Sequence, residues 1–163
     1  MSTNEIAALP VEQMAADRAH LYLWSTRRAF REGDAARVAR AWGFEPVGEL
    51  VWGLRNPGTG SGLLVNGHEP ILLASRGRLP FDFPEGQQSP GGVYFWRQVY
   101  EYGPSGVPQK VHSAKPPNLA DLVEQVSPGP YVELFARAPE RPSLSVWDFW
   151  GDESDNTASM PAA

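Results

Sequence analysis

Two six-residue runs constrain this chain more than anything else in it. His20-Leu21-Tyr22-Leu23-Trp24-Ser25 and Glu69-Pro70-Ile71-Leu72-Leu73-Ala74 carry apolar side chains at consecutive positions, without the polar alternation of a strand that has one wet face. Successive side chains of a strand point to opposite faces, so both runs call for a sheet covered on both sides. Pro70 fits such a strand only near its beginning, where a missing N–H costs no central ladder bond.

Helical patterns supply the cover. Asn118 to Val126 is the clearest: Leu119, Leu122, Val123 and Val126 fall on one stripe, Asn118 can cap it, and Asp121 sits in the first turn, where the helix dipole favours an acid. A second helix is expected from Arg27 or Arg31 to Trp42, with Phe30, Ala35, Val38, Ala39 and Trp42 on one side and Gly43 as its stop. A short one starts at Leu9-Pro10-Val11-Glu12, because proline is tolerated at the first helical position; Met14 and Ala15 form its buried side. Alternating strands and helices imply a three-layer α/β sheet.

Length and composition set the outer bounds. The 163 residues suit one domain, expected over 1–155 with a disordered tail at 156–163, and large enough to bury roughly two-thirds of its unfolded surface. No stretch approaches a membrane span, and residues 1–8 lack the basic start and apolar run of a secretory signal. Without cysteine there is no disulfide framework and no thiolate metal site, so a cytoplasmic protein is the default expectation. The net charge of -5 opposes tight, sequence-blind binding to duplex nucleic acid, which depends on many cations neutralising phosphates. Arg18, Arg27, Arg28, Arg31, Arg37 and Arg40 nevertheless cluster early; a solvated helix face explains them more simply than a phosphate-contacting surface.

The remaining segments order themselves around these elements. Val47 to Leu54 is expected as a strand, residues 56–62 as a glycine-rich loop, and 77–92 as a proline- and glycine-rich excursion. Val93 to Tyr100 returns as an aromatic strand. Ser127-Pro128-Gly129 ends the clear helix before a strand from Tyr131 to Ala136, and a last short strand crosses Val146 to Trp150. Val111-His112-Ser113-Ala114-Lys115-Pro116 therefore puts a cation at a helix entrance, and Val132-Glu133-Leu134-Phe135-Ala136-Arg137 ends an apolar strand in a second cation. That order suits an anionic, nucleoside-bearing small molecule across the carboxyl end of a strand.

The same segments resemble the MT-A70 family, S-adenosylmethionine-dependent adenine N-methyltransferases of RNA and DNA, over about Leu9 to Glu153. The resemblance is carried by Leu21-Tyr22-Leu23-Trp24-Ser25-Thr26, Ala41-Trp42-Gly43-Phe44, Leu50-Val51-Trp52, Asn66-Gly67-His68-Glu69 with Arg76-Gly77, His112-Ser113-Ala114-Lys115-Pro116, Glu133-Leu134-Phe135-Ala136-Arg137 and Trp150-Gly151-Asp152-Glu153. Their order and spacing make the match. It implies a Rossmann-like methyltransferase sheet of permuted strand order, in which the catalytic strand precedes the cofactor-binding half.

Family activity depends on an Asp-Pro-Pro-Trp tetrapeptide upstream of the segment matching Leu9-Pro10-Val11. An adenine amine is a poor nucleophile because its lone pair is delocalised into the ring. A carboxylate and a carbonyl accepting its two hydrogens localise that pair, and an aromatic ring fixes the base. The tetrapeptide does not occur in this sequence; the one Pro-Pro pair, Pro116-Pro117, follows Lys115. The chain thus reads as the family without its N-terminal catalytic strand, inactive alone, and no residue is assigned a catalytic or metal-binding role. Leu54 also departs from the lysine many relatives carry in that strand.

By resemblance, Lys115 holds the cofactor's carboxylate and Arg137 lies near its ribose. His112, which can equally cap or pack its loop, and Asp152 with Glu153, which can equally form a solvated acidic turn, complete the expected S-adenosylmethionine site. Asn66, His68 and Glu69 face the acceptor nucleotide. Trp52 is a candidate for stacking on a base, although core packing explains it better, and Trp24, Trp42 and Trp147 are assigned to packing. DNA is the expected acceptor, with RNA second. The rival reading is a non-catalytic partner that scaffolds a complete methyltransferase.

Overall fold

The computed structural model describes residues 1–54, 67–83, 93–94, 100–102, 108–110, 115–116, 118–135 and 147–151. The strand His68–Arg76 (β3) lies between two antiparallel neighbours, Ala19–Trp24 (β1) and Glu45–Gly53 (β2), and the short Val93–Tyr94 (β4) adds parallel to β2. The four-stranded order is β1-β3-β2-β4. β1, β2 and β4 consequently all point their carboxyl ends the same way, and β3 begins where they finish.

The consecutive apolar residues of β3 are buried on both faces. Leu72 and Ala74 join a core with Val11, Ala35, Val38, Ala39, Trp42 and Phe44; Ile71 and Leu73 join another with Leu50, Leu122 and Val126. β1 divides in the same alternation, Ala19, Leu21 and Leu23 facing the first cluster and Tyr22 and Trp24 the second. Helices therefore cover both sheet faces, as expected for a three-layer α/β arrangement. Pro70 pairs opposite Val51, and its carbonyl accepts from Ser25 N–H at 3.1 Å, one residue past the end of β1. Since N–H and C=O of one strand residue point to the same side, the missing donor falls beyond the β1 ladder.

The first face is covered by Thr3–Ala7 (α1), Val11–Met14 (α2), Arg27–Arg31 (α3) and Asp34–Ala41 (α4). The expected single helix from Arg27 or Arg31 to Trp42 is two helices. Thr26 Oγ1 caps α3 by accepting from Ala29 N–H at 3.1 Å, and Gly33, at φ 84°, turns the chain into α4. Glycine reaches that left-handed conformation without steric cost. Beyond α4, buried Trp42 donates its indole N–H to the Ile6 carbonyl at 3.1 Å and ties α1 to the layer.

On the second face lies Asn118–Val126 (α5), with Leu122, Val123 and Val126 buried. Asn118 is its first helical residue rather than a flanking cap, a one-residue difference at a helix end. Tyr100–Tyr102 (β5) and Pro108–Lys110 (β6) pair antiparallel, while Tyr131–Leu134 (β7) and Trp147–Trp150 (β8) pair parallel, each as a separate two-stranded sheet. Among the described residues no helix is long and apolar enough to cross a membrane. The tail at 156–163 lies outside the described residues, as do most of the 77–92 excursion and the 56–62 loop.

Candidate cofactor and acceptor site

At the carboxyl ends of β1 and β2, five of the residues singled out in the sequence come together. The β2–β3 register sets Trp52 opposite Glu69 and Gly53 opposite His68, and Trp24 closes β1 beside Ile71. Lys115 reaches this end from the segment leading into α5. Its ammonium donates to Glu69 Oε2 at 2.5 Å and sits 4.8 Å from the centroid of the Trp24 ring. The Lys115 and Glu69 side chains keep 35% and 33% of their surface exposed, so the pair is held yet open to a ligand.

Each partner is where it is for a local reason. Glu69 precedes the buried run of β3, at the rim, where a carboxylate keeps contact with water. Trp24 is placed by its edge-on contact with Trp52, 5.6 Å between ring centroids at 77°, and so turns a face to the ammonium. Cation–π attraction is worth about 0.5–1 kcal/mol at exposed sites and more where water is excluded. An ammonium has three donors; Glu69 uses one, leaving capacity for a second carboxylate. The donor chemistry therefore fits the amino-acid carboxylate of S-adenosylmethionine.

Other expectations are placed differently. Trp52 is a core residue, 1% exposed, so it offers no open face for stacking on a base; the packing explanation accounts for it. His68 is half-buried at the start of β3. His112, Asn66, Arg137, Asp152 and Glu153 lie outside the described residues, and with them the expected convergence of Lys115 and Arg137 on one ligand.

Trp24, assigned to packing in the sequence, also carries Lys115 on its ring. The signal was its position, the last aromatic of an apolar strand. A second polar arrangement was overlooked. Buried Ser127, read above only as a helix stop, joins His20 and Tyr22 of β1. Neutral His20 with its proton on Nε2 fits the geometry: Nε2–H donates to the Leu79 carbonyl at 3.2 Å, and Nδ1 accepts from Ser127 Oγ–H at 2.7 Å. The Tyr22 hydroxyl then donates to Ser127 Oγ at 2.9 Å. Burial holds His20 below the ordinary histidine value, against opposing backbone contacts at Leu79 and Pro80. Burial also pushes the Tyr22 hydroxyl up to about 12. The network fastens the end of α5 to β1.

Among the described residues no group of histidines and acids is arranged to hold a metal ion. The arginines expected to form a solvated face do so in part: Arg28 pairs with Glu32 at 3.0 Å, Arg37 with Asp34 at 3.1 Å and Arg40 with Glu45 at 3.2 Å, all at the surface. A search of curated proteins returns no match. A family model does match, that of MT-A70, over residues 1–153. With nearly its whole length so matched, the chain belongs to the MT-A70 family, whose membership implies S-adenosylmethionine-dependent methyl transfer.

Proposed function

We propose that this chain forms the cofactor-holding and acceptor-facing part of an adenine N-methyltransferase acting on DNA, with RNA as the second acceptor. The observation that carries the reading is the Lys115–Glu69 pair over Trp24, at the sheet end where open α/β sheets bind ligands. Bound there, the cofactor supplies an electrophilic methyl group on a sulfonium. Lys115 holds its carboxylate, with His112, Arg137, Asp152 and Glu153 as the further contacts; Glu69, beside His68 and Asn66, faces the acceptor base. Family membership supports this assignment of roles. A permuted methyltransferase sheet, its catalytic strand outside residues 1–163, belongs to the same proposal.

The amine-polarising Asp-Pro-Pro-Trp group is not in this sequence. We therefore expect residues 1–163 to bind cofactor without transferring methyl by themselves. Calorimetric titration tests the binding half. Lys115→Met should weaken S-adenosylmethionine binding at least about tenfold, as expected when a charge-assisted contact worth about 1.5–3 kcal/mol is lost. Unchanged affinity would remove the assignment. Transfer of labelled methyl to DNA by the purified 163-residue chain would overturn the expected inactivity.

A further inference from the structure

At the opposite end of β3 the molecule has an open groove of about 970 Å³. Seven residues separate Glu69 from Arg76, so at strand rise the groove lies about 23 Å from the Lys115 site. Its rim is cationic: Arg40, Arg76 and Arg78 line it against one carboxylate, Glu45, in a chain whose net charge is -5. Glu45 is occupied with Arg40 at 3.2 Å, and exposed Asp82 does not line the groove. Arg76 donates to the Glu12 backbone carbonyl at 2.8 Å, a neutral acceptor that leaves its charge uncompensated. Arg78 is exposed at the turn after β3 and has no ion pair among the described residues. Its φ of 53° is one that glycine or asparagine adopts more cheaply, so the backbone carries a cost at the residue that holds this charge.

The aromatic rings of the wall are already engaged: Phe81 stacks on His20 at 3.7 Å and packs beside Phe83 at 6.3 Å. What the groove leaves open is aliphatic. Val47, which lines it, is 57% exposed. It is the residue that the β2 register skips between Pro46 and Gly48, and it has no partner on β3. A bulge of this kind re-aims a side chain, and here it holds an apolar one in water beside the arginines. Next to it Gly48 leaves a gap, since a Cβ built there meets nothing within 4 Å. Guanidinium groups match carboxylates in paired, charge-assisted hydrogen bonds, and a valine beside a gap accepts an aliphatic side chain. We propose that this groove docks an acidic segment of a partner protein, its carboxylates on Arg76 and Arg78 and an aliphatic side chain against Val47 in the gap at Gly48. Charge complementarity selects the occupant, and the engaged rings favour a peptide over a ligand that must stack. The assignment is independent of the methyl-transfer reading.

Selection of displayed random peptides on the wild-type protein tests the proposal. The enriched peptides should combine aspartate or glutamate with leucine, isoleucine or valine, and a fluorescent synthetic copy of the strongest should bind in an anisotropy titration. Gly48→Leu fills the gap without a clash, and Arg78→Asn removes the unpaired charge at a φ that asparagine tolerates. Each variant should weaken binding about fivefold or more, as should exchange of the peptide's acids for their amides, because each removes a contact of the kind proposed. Arg31→Asn, the same charge change on α3 outside the groove, should stay within about twofold of wild type if the effect is local rather than one of net charge. If Gly48→Leu shifts the urea unfolding midpoint, Arg78→Asn in its exposed turn carries the test alone. The proposal fails if no acidic peptide is enriched, if Arg78→Asn binds the peptide as wild type does, or if Arg31→Asn weakens binding equally. It fails also if a single-stranded oligonucleotide displaces the peptide better than unlabelled peptide does.

Discussion

Ser127 is the residue whose loss the fold should feel most for its size. Its hydroxyl links His20 Nδ1 to the Tyr22 hydroxyl. Replacing it with alanine strands both polar groups in a half-buried site, a cost of about 1–3 kcal/mol, whereas Tyr22→Phe removes one bond and leaves Ser127 paired with His20, about 1 kcal/mol. Urea denaturation of the two variants checks that ordering. His20 adds a pH dependence. Its folded value is depressed below 6.5, so between the two values the unfolded chain binds more protons and stability rises with pH. Wild-type stability should thus be full above about pH 6.5 and fall as acid is added below it. His20→Gln should flatten that decline; an unchanged decline would take the effect away from His20. None of this was legible beforehand, because alternation reveals which face a residue joins but not which distant loop meets it there.

At the scale of elements, local chemistry was read well and interruptions poorly. The α5 bounds follow from a stripe with nothing to compete against it, and buried β3 follows from an apolar run too dense for a wet face; β1, expected to be covered alike, is the edge strand and half-buried throughout. The break between α3 and α4 did not show, because Phe30, Ala35 and Val38 continue one apolar side across Gly33 while the backbone does not. The first helix was overlooked although Ser2 and Glu5 form a capping box, each side chain reaching the other's backbone N–H. Strand direction was illegible for another reason: the connection between β2 and β3 is long enough for either sense, and only packing makes β3 antiparallel to both neighbours. Two glycines separate strain from collision. Gly33→Ala meets open space and should cost only the left-handed penalty, about 1–2 kcal/mol. At Gly77, φ 63°, a Cβ would collide with the Asp17 carbonyl, so Gly77→Ala should lower the melting temperature distinctly more. Equal shifts in the two variants would mean the loop before β1 yields freely.

For the molecule as a whole, the sheet separates two ends of different chemistry. One end joins Lys115, Glu69 and Trp24; the other gathers Arg40, Arg76 and Arg78 beside Phe81 and Phe83. Of the first, Lys115 and Glu69 stood out in the sequence in separate short motifs, while Trp24 was assigned to packing; that the three meet was not legible there. The second was not legible either, since its arginines come from α4 and the β3 turn and meet only after folding. The account rests on Lys115 reading a ligand's carboxylate, and one comparison isolates that group. Calorimetric titration of wild type and Lys115→Met with S-adenosylmethionine and with its decarboxylated analogue measures the carboxylate's share directly. Wild type should prefer the carboxylated ligand at least about tenfold, and Lys115→Met should bind the two alike. The same preference in both proteins would contradict the account.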